Sequence, residues 1–258
     1  MQIAILLFCL LGIIHPANGA EKQTKTAFEN AVKKLALKDV QAQITLKTTD
    51  AGGNSILRKL NVSFGDFEKT RKVMIQITAP EDLKGTQILT THFIDKSRKS
   101  TIEIFLPSTG KIRKFRANNR KLKIPGTEIP INHFSSAAFD DYLISIEEKD
   151  IFNGRQVQKI KLHLPGNDEY MVVYLDLQAE RLYRIKSYDK NENLTSNTEF
   201  TDYRHTEPSE IENCFPYKVL VHNPISGKTS ELTVSKINQL TQIRDADFDL
   251  VKKPAAIK

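Results

Sequence analysis

The sequence has no tryptophan and only two cysteines among its 258 residues. One of them, Cys9, lies in an N-terminal apolar run that we expect to be removed, which leaves Cys214 alone. A single cysteine cannot form an intramolecular disulfide, so the mature fold must be held together by its core. We interpret Cys214 as a partly buried apolar residue rather than a catalytic thiol, because no catalytic pattern surrounds it.

Long hydrophobic runs are also missing. The N-terminal run, residues 3–14, has 12 apolar residues, whereas a helix that spans a bilayer needs about 20. It is followed by His-Pro and four small residues, the layout of a secretory signal peptide, although the residues ahead of it include no Lys or Arg. We predict a signal peptide over residues 1–20, with cleavage after either Gly19 or Ala20, and a single domain over residues 21–258. The alternative is a buried N-terminal helix.

The common catalytic and metal-binding patterns are absent. There is no G-x-S-x-G, no P-loop and no H-E-x-x-H. The histidines left after cleavage are not paired at metal-ligand spacing. Two pairs of carboxylates, at residues 140–141 and 147–148, are adjacent in sequence and therefore point in different directions. The sequence predicts a protein that is not an enzyme and that uses no cofactor or metal.

The chain is basic, with a net charge of +7, and all of that charge belongs to the mature part. Ten Lys or Arg lie between residues 96 and 123, against one acid, Glu103. One interpretation is a docking surface for anionic lipid or an acidic partner. The other is a solvated hairpin whose charges keep a sheet edge from aggregating. Nucleic acid is a poor partner for an exported chain. The docking-surface candidates are Lys111, Arg113, Lys114, Arg116 and Arg120.

Hydrophobic periodicity predicts one helix followed by many strands. Residues 25–38 carry an apolar stripe at Phe28, Val32, Leu35 and Ala36. Period-two alternation then predicts twelve or thirteen strands, interrupted by a helical lid insert around residues 125–143. We predict a mainly β fold with a few helices, built on a single large antiparallel sheet that curls into a half-closed β-barrel covered by helices. The predicted strands are residues 40–48, 56–64, 71–78, 86–94, 101–106, 111–115, 143–148, 155–164, 170–177, 181–188, 194–203, 217–222 and 228–237.

One local motif and its successors resemble a known family. Ala79-Pro80-Glu81-Asp82-Leu83-Lys84-Gly85-Thr86, after a strand that begins at Arg71, is similar to the signature of the LolA-like outer-membrane lipoprotein-sorting proteins. Segments similar to that family follow in order through the mature chain, the last at residues 245–250, which resemble its closing strand. Two departures are the absence of tryptophan and Ser135 in place of a glycine in the central segment.

The resemblance implies a periplasmic carrier in a Gram-negative bacterium. Such a carrier holds the acyl chains of a lipidated protein or lipid in a hydrophobic cavity and moves them from an inner-membrane transporter to an outer-membrane acceptor. It also implies that the protein has no enzymatic activity, and we expect a monomer. The alternative is an exported adaptor of a resistance-nodulation-type transport complex that carries no lipid.

Two sets of site residues follow from these interpretations. Arg71 matches the family arginine that latches the lid, so the resemblance implies a latch between Arg71 and residues 132–142. Strand alternation brings the candidate cavity residues to one face, but it leaves open which face of each strand lines the cavity. The cavity candidates are Val73, Ile75, Ile77, Ile88, Ile102, Ile104 and Leu106, with Phe134 and Phe139 from the insert.

Overall fold

The structure is a computed structural model, and it describes residues 17–35, 37–95, 97–116, 123–130, 139, 141–205, 214–240 and 242–250. These residues form one α-helix, thirteen strands and a short 3-10 helix, Asp245–Phe248. The bounds are α1 Ala17–Leu35, β1 Val40–Thr49, β2 Ser55–Asp66, β3 Thr70–Ala79, β4 Gln87–Phe93, β5 Thr101–Leu106, β6 Lys111–Arg116, β7 Leu143–Phe152, β8 Arg155–His163, β9 Tyr170–Asp176, β10 Arg181–Tyr188, β11 Leu194–His205, β12 Cys214–Asn223 and β13 Lys228–Gln239.

All thirteen strands belong to one antiparallel sheet, which confirms the predicted fold. The order is β6-β5-β4-β3-β2-β1-β13-β12-β11-β10-β9-β8-β7. The first and last strands therefore pair at the centre, and hairpin-connected neighbours extend the sheet in both directions. Strands β6 and β7 are the two edges and do not pair, so the sheet is curled but not closed.

The sheet has an inner face that carries the core, because apolar side chains alternate with polar ones along each strand. In β1 the side chains of Ala42, Ile44 and Leu46 are buried, whereas those between them are polar. The register then aligns Ile44 with Leu60 of β2, and Leu60 with Ile77 of β3. Each such side chain contributes about 1.5–3 kcal/mol through burial, so the alternation fixes both the register and the orientation of the sheet.

The inner face is covered by two different structures. On β7–β11, helix α1 packs Ala27, Phe28 and Ala31 against the strands. On β1–β5, β12 and β13, the covering residues are Ile124 and Ile129, from the segment between β6 and β7. We call residues 123–130 the cover segment. The open sheet is thus sealed by a helix at one half and by a loop at the other.

Helix α1 differs from its prediction at both ends. The sequence predicts residues 25–38, but the helix begins at Ala17 and ends at Leu35. The earlier start was missed because residues 19–23 are small or polar and exposed, so no apolar stripe marks them. Both predicted cleavage positions lie in the first turn of this helix, and the signal peptide remains a prediction. Within the described part of the chain, no helix has the length and apolarity needed to cross a bilayer.

The expected closing strand at residues 245–250 is wrong. The segment forms the 3-10 helix instead, because the backbone N–H of Arg244 donates to Asp247 Oδ2 over 2.9 Å and its guanidinium pairs with the same carboxylate. Phe248 is buried on the outer face of the sheet, where its ring meets Phe67 at a centroid distance of 5.5 Å. A salt bridge of 2.9 Å between Lys72 Nζ and Asp245 Oδ2 holds the segment to β3.

Candidate functional site

The predicted cavity residues lie together on the inner face. Val73, Ile75 and Ile77 of β3 are adjacent to Ile88 of β4, and the row continues into β5. All of the strand candidates except Leu106 are buried, and Leu106 packs partly buried against the same cluster. The buried ones are Val73, Ile75, Ile77, Ile88, Ile102 and Ile104. The structure thereby identifies the apolar face of each strand, and a lipid-lining role for it stays a prediction.

Of the two predicted residues of the lid, only Phe139 is among the described residues. Phe139 lies against helix α1, where its ring meets Phe28 edge-on at a centroid distance of 5.7 Å. It therefore joins the cluster under the helix rather than the one on β1–β5. Phe134 lies outside the described residues, as does most of the predicted helical insert around residues 125–143.

The cover segment is held by polar contacts at one end of the inner face. The backbone N–H of Glu128 donates to Ser230 Oγ over 2.9 Å, and that hydroxyl lies 3.3 Å from Thr48 Oγ1. Thr127 bridges the loop internally, since its Oγ1 donates to the carbonyl of Ile124 and accepts from the N–H of Ile129. These bonds satisfy backbone and hydroxyl groups of the buried loop that would otherwise lack partners, and they stabilise the cover in its closed position.

The buried acid of the cover segment is fully paired. The carboxylate of Glu128, which is 8% exposed, forms a salt bridge with Lys123 at the start of the segment. It also accepts a hydrogen bond of 2.9 Å from Asn223 Nδ2 in β12. The acid therefore joins the cover to the neighbouring strand, and both contacts are made through its Oε2.

Arg58 is the residue at this end that sequence analysis missed. It is only 4% exposed and stands on the inner face, in the series Ile56, Arg58, Leu60 along β2. Its Nε and Nη1 are buried and make no hydrogen bond. Burial lowers the pKa of Arg58 below its ordinary value, and the nearby Asp82 carboxylate opposes that shift. A charged residue in an apolar position of a strand was the signal that could have revealed it.

Gly126 explains how the cover segment lies so close to Arg58. Its φ is +71°, a conformation that side chains rarely adopt. A Cβ atom at this position would also collide with Nη2 of Arg58. Glycine thus allows the cover backbone to pack directly on the guanidinium.

Arg71, the predicted latch, lies on the same face of β3 as Val73. It is near the start of that strand, at the end far from Arg58. Its side chain is 47% exposed and its Nε lies 3.3 Å from Asp66 Oδ1 on the neighbouring strand. Most of the segment predicted to receive it, residues 132–142, lies outside the described residues. The latch stays a prediction.

The basic docking candidates form an edge strand. Lys111, Arg113, Lys114 and Arg116 are exposed along β6, and Lys114 pairs with Glu103 of β5 at 2.6 Å. Arg120 lies outside the described residues. An edge strand carrying these charges resists pairing with other chains, so the placement agrees with the solvated-edge interpretation, and a docking role remains a prediction.

The Pro80 motif forms the connection between β3 and β4. The N–H of Gly85 donates to the carbonyl of Ile77 over 2.8 Å, and Leu83 packs against the inner-face core. Gly85 has a φ of +83° and lies close to Pro107 of the next hairpin. The turn therefore anchors one side chain inward while its charged residues face solvent at the end of the sheet near Arg58.

A separate cavity of about 330 Å³ lies on the outer face of β1–β4. Its lining includes Gln41, Gln76 and Gln87, and the C-terminal segment contributes Phe248. Within the described residues there is no cluster of three or more metal-ligating side chains.

Comparison with known proteins decides the family. A family model with the description "uncharacterized protein" matches residues 69–252. The chain belongs to this family. None of the curated proteins matches the chain in sequence.

Solved structures show that this family member has the LolA-like fold. A domain assigned to outer membrane lipoprotein sorting from Vibrio parahaemolyticus superimposes with a TM-score of 0.76, at 20% identity, over 89% of this chain and 97% of that one. A DUF1329 family protein from Desulfovibrio piger superimposes with a TM-score of 0.75, at 14% identity, over 87% of this chain and 96% of that one. A LolA superfamily protein from Nitrosomonas europaea superimposes with a TM-score of 0.68, at 15% identity, over 87% of this chain and 96% of that one. The resemblance found in the sequence is confirmed.

Proposed function

We propose that this family member is an exported, non-enzymatic carrier that binds acyl chains of a lipoprotein or lipid against its inner face. It receives them from an inner-membrane transporter and delivers them to an outer-membrane acceptor across the periplasm. The observation that carries the proposal is the inner face itself. Apolar side chains line the inner face of an open sheet in two clusters, one covered by a loop and the other by a helix.

The covering elements support a carrier more than a rigid core. The cover segment is joined to the sheet mainly through a few polar contacts and two isoleucines. Lifting it would expose the apolar rows of β1–β5, and an acyl chain would then replace the contacts that the isoleucines lose. In the absence of cargo the cover keeps this surface out of water.

The energetics suit reversible binding. Burial contributes about 0.8 kcal/mol per CH₂ group, so a chain of about sixteen carbons gains on the order of 10 kcal/mol. Ordering the chain and lifting the cover reduce that gain. Binding is then strong enough to keep a lipid from water, and release requires an acceptor that offers a better environment.

A second candidate is the adaptor function. The edge strand β7 exposes Ile146 and Ile151 on one face, and exposed apolar side chains of this kind are found at interaction sites. In this case the protein would assemble with a membrane complex and carry nothing.

Native mass spectrometry of protein purified from its own host separates the two. The carrier predicts a population with acyl lipid bound and a second population without it. Protein that carries no lipid and is recovered in a tight complex with a membrane protein would contradict the carrier and support the adaptor.

A further inference from the structure

Arg58 is a buried cation in a row of apolar side chains. On its strand the inner-face positions are Ile56, Arg58, Leu60, Val62 and Phe64. Across the sheet Arg58 is aligned with Leu46 of β1. An ordinary core would place an aliphatic residue here, so the guanidinium needs another explanation.

Arg58 forms no salt bridge with any of the residues that the structure describes. The Nε and Nη1 atoms of Arg58 are buried without a hydrogen bond. The nearby buried acid, Glu128, is already paired with Lys123 and Asn223. Asp82 acts on Arg58 only through its field and accepts no hydrogen bond from it. Because an unpaired buried charge is destabilising, this site is short of one anionic group.

Apolar side chains lie between Arg58 and the rim of the inner face. Ile56, two residues earlier on the same face, is exposed, and so is Ile225. Ile225 belongs to the turn between β12 and β13, which touches the β1–β2 turn where Gly227 meets Ala51. Exposed apolar side chains beside a buried cation fit a molecule with an apolar chain and an anionic group.

We propose that Arg58 binds the phosphate group of an acyl lipid whose chains lie along the inner face. The guanidinium presents planar, fixed donors that match a phosphate oxyanion in a bidentate manner. Because residue 126 is a glycine, the backbone of the cover segment packs directly against Nη2 of Arg58. Lifting the cover segment would therefore expose the N–H donors of the guanidinium. The inference rests on the proposed carrier function and specifies its cargo: an anionic amphiphile rather than a neutral one.

The test uses three probes and one matched control. The full mature protein is titrated with phosphatidic acid, with diacylglycerol of the same chains, and with inorganic phosphate, and binding is followed by native mass spectrometry. The variants are Arg58→Met and Arg58→Gln. Lys59→Gln is the control, because Lys59 is the next residue, is exposed and faces outward, so that it removes the same charge from the opposite face.

Wild type and Lys59→Gln are expected to bind phosphatidic acid at least about tenfold more tightly than diacylglycerol, as charged hydrogen bonds allow. Both Arg58 variants are expected to lose that preference while binding diacylglycerol as wild type does. Arg58→Met is also expected to unfold at the same temperature as wild type or higher, since it removes an unpaired buried charge.

Each contrary result has its own meaning. Equal binding of the two lipids by wild type would overturn the phosphate site and leave the carrier intact. Failure of both lipids to bind would contradict the carrier itself. Inorganic phosphate that binds as tightly as phosphatidic acid, in an Arg58-dependent manner, would overturn the lipid assignment in favour of free phosphate. A lower unfolding temperature for Arg58→Met would assign Arg58 a structural role.

Discussion

The backbone N–H of Glu128 donates a hydrogen bond of 2.9 Å to the Oγ of Ser230, in the strand that pairs with the first strand of the sheet. Ser230 is completely buried, and its hydroxyl also meets Thr48. One side chain therefore joins the cover segment to the centre of the sheet, between the two halves of the inner face. The strength of this connection decides how easily the cover lifts.

Ser230→Ala should weaken the cover. It leaves the N–H of Glu128 buried without an acceptor, which costs about 1–3 kcal/mol. The free energy of unfolding should fall by that amount in urea titration, and amide exchange in residues 123–130 should accelerate. Ser235→Ala is the control, because Ser235 lies on the same strand but bonds to Gln43 at an exposed site. Equal effects of the two substitutions would contradict a special role for Ser230.

Gly126→Ala should open the cover by a different route. The new methyl group would strain a positive φ and collide with Arg58, so we expect a loss of about 1–3 kcal/mol. Gly110→Ala is the control, since Gly110 also has a positive φ but nothing lies within 4 Å of the added carbon. Urea titrations measure the free energy of unfolding of both variants. Gly110→Ala reports the cost of backbone strain alone, and Gly126→Ala reports that cost together with the cost of the collision. If Gly126→Ala is no worse than Gly110→Ala, the guanidinium of Arg58 moves aside without cost and does not fix the position of the cover.

The anchor of helix α1 should respond to acid. Glu180 accepts hydrogen bonds of 2.7 Å from Asn30 and from Lys34. These bonds, that from Asn30 first, lower the pKa of Glu180 below its ordinary value of 4.5. Its contribution is therefore complete above pH 4.5 and is lost as the pH falls through the lower folded value.

Glu180→Gln should remove this acid-sensitive contribution. We expect a loss of about 0.5–1 kcal/mol at pH 7, as for a partly exposed ion pair, and a smaller difference from wild type at pH 3. Urea titrations at the two pH values measure both. Glu192→Gln, at an exposed glutamate in the turn between β10 and β11, is the control. A difference that does not shrink in acid would mean that the charge of Glu180 is not what anchors the helix.

The Pro80 turn should matter for transfer rather than for folding. Replacing Glu81 and Lys84 by Ser leaves in place the anchoring Leu83 and the Asp82 carboxylate that acts on Arg58, and the one ion pair lost, Glu81 with Lys84, is exposed. Unfolding should change by less than about 0.5 kcal/mol. Lipid transfer between donor and acceptor membranes should slow if the turn contacts a transporter. Unchanged transfer would leave the turn purely structural.

The latch assigned to Arg71 by resemblance has an equally direct test. Arg71→Leu should change the uptake or release of acyl lipid, while Arg98→Leu, an exposed arginine stacked on Phe93 at 3.8 Å, should not. Fluorescent lipid exchange between vesicles measures both. Identical exchange for wild type and Arg71→Leu would rule out the latch.

Sequence pattern predicted the sheet well because alternation and turn residues are local signals. It predicted Val73, Ile75 and Ile77 as one apolar set, but their shared face became known only from the register with β2 and β4. Arg58 was missed because a single charge in an alternating strand reads as a surface residue. The lid insert around residues 125–143 was predicted, but the bonds that hold the cover segment were missed, because its partners Ser230 and Asn223 are about a hundred positions away.

The most direct test of the carrier is to locate a bound acyl chain. A fatty acid that carries a photoreactive diazirine near its end is bound to the protein and irradiated, and the modified residues are found by peptide mass spectrometry. The account predicts labels on the inner face of β3–β5, around Ile75, Ile88 and Ile104. Labels confined to the outer face, or no saturable labelling at all, would contradict it.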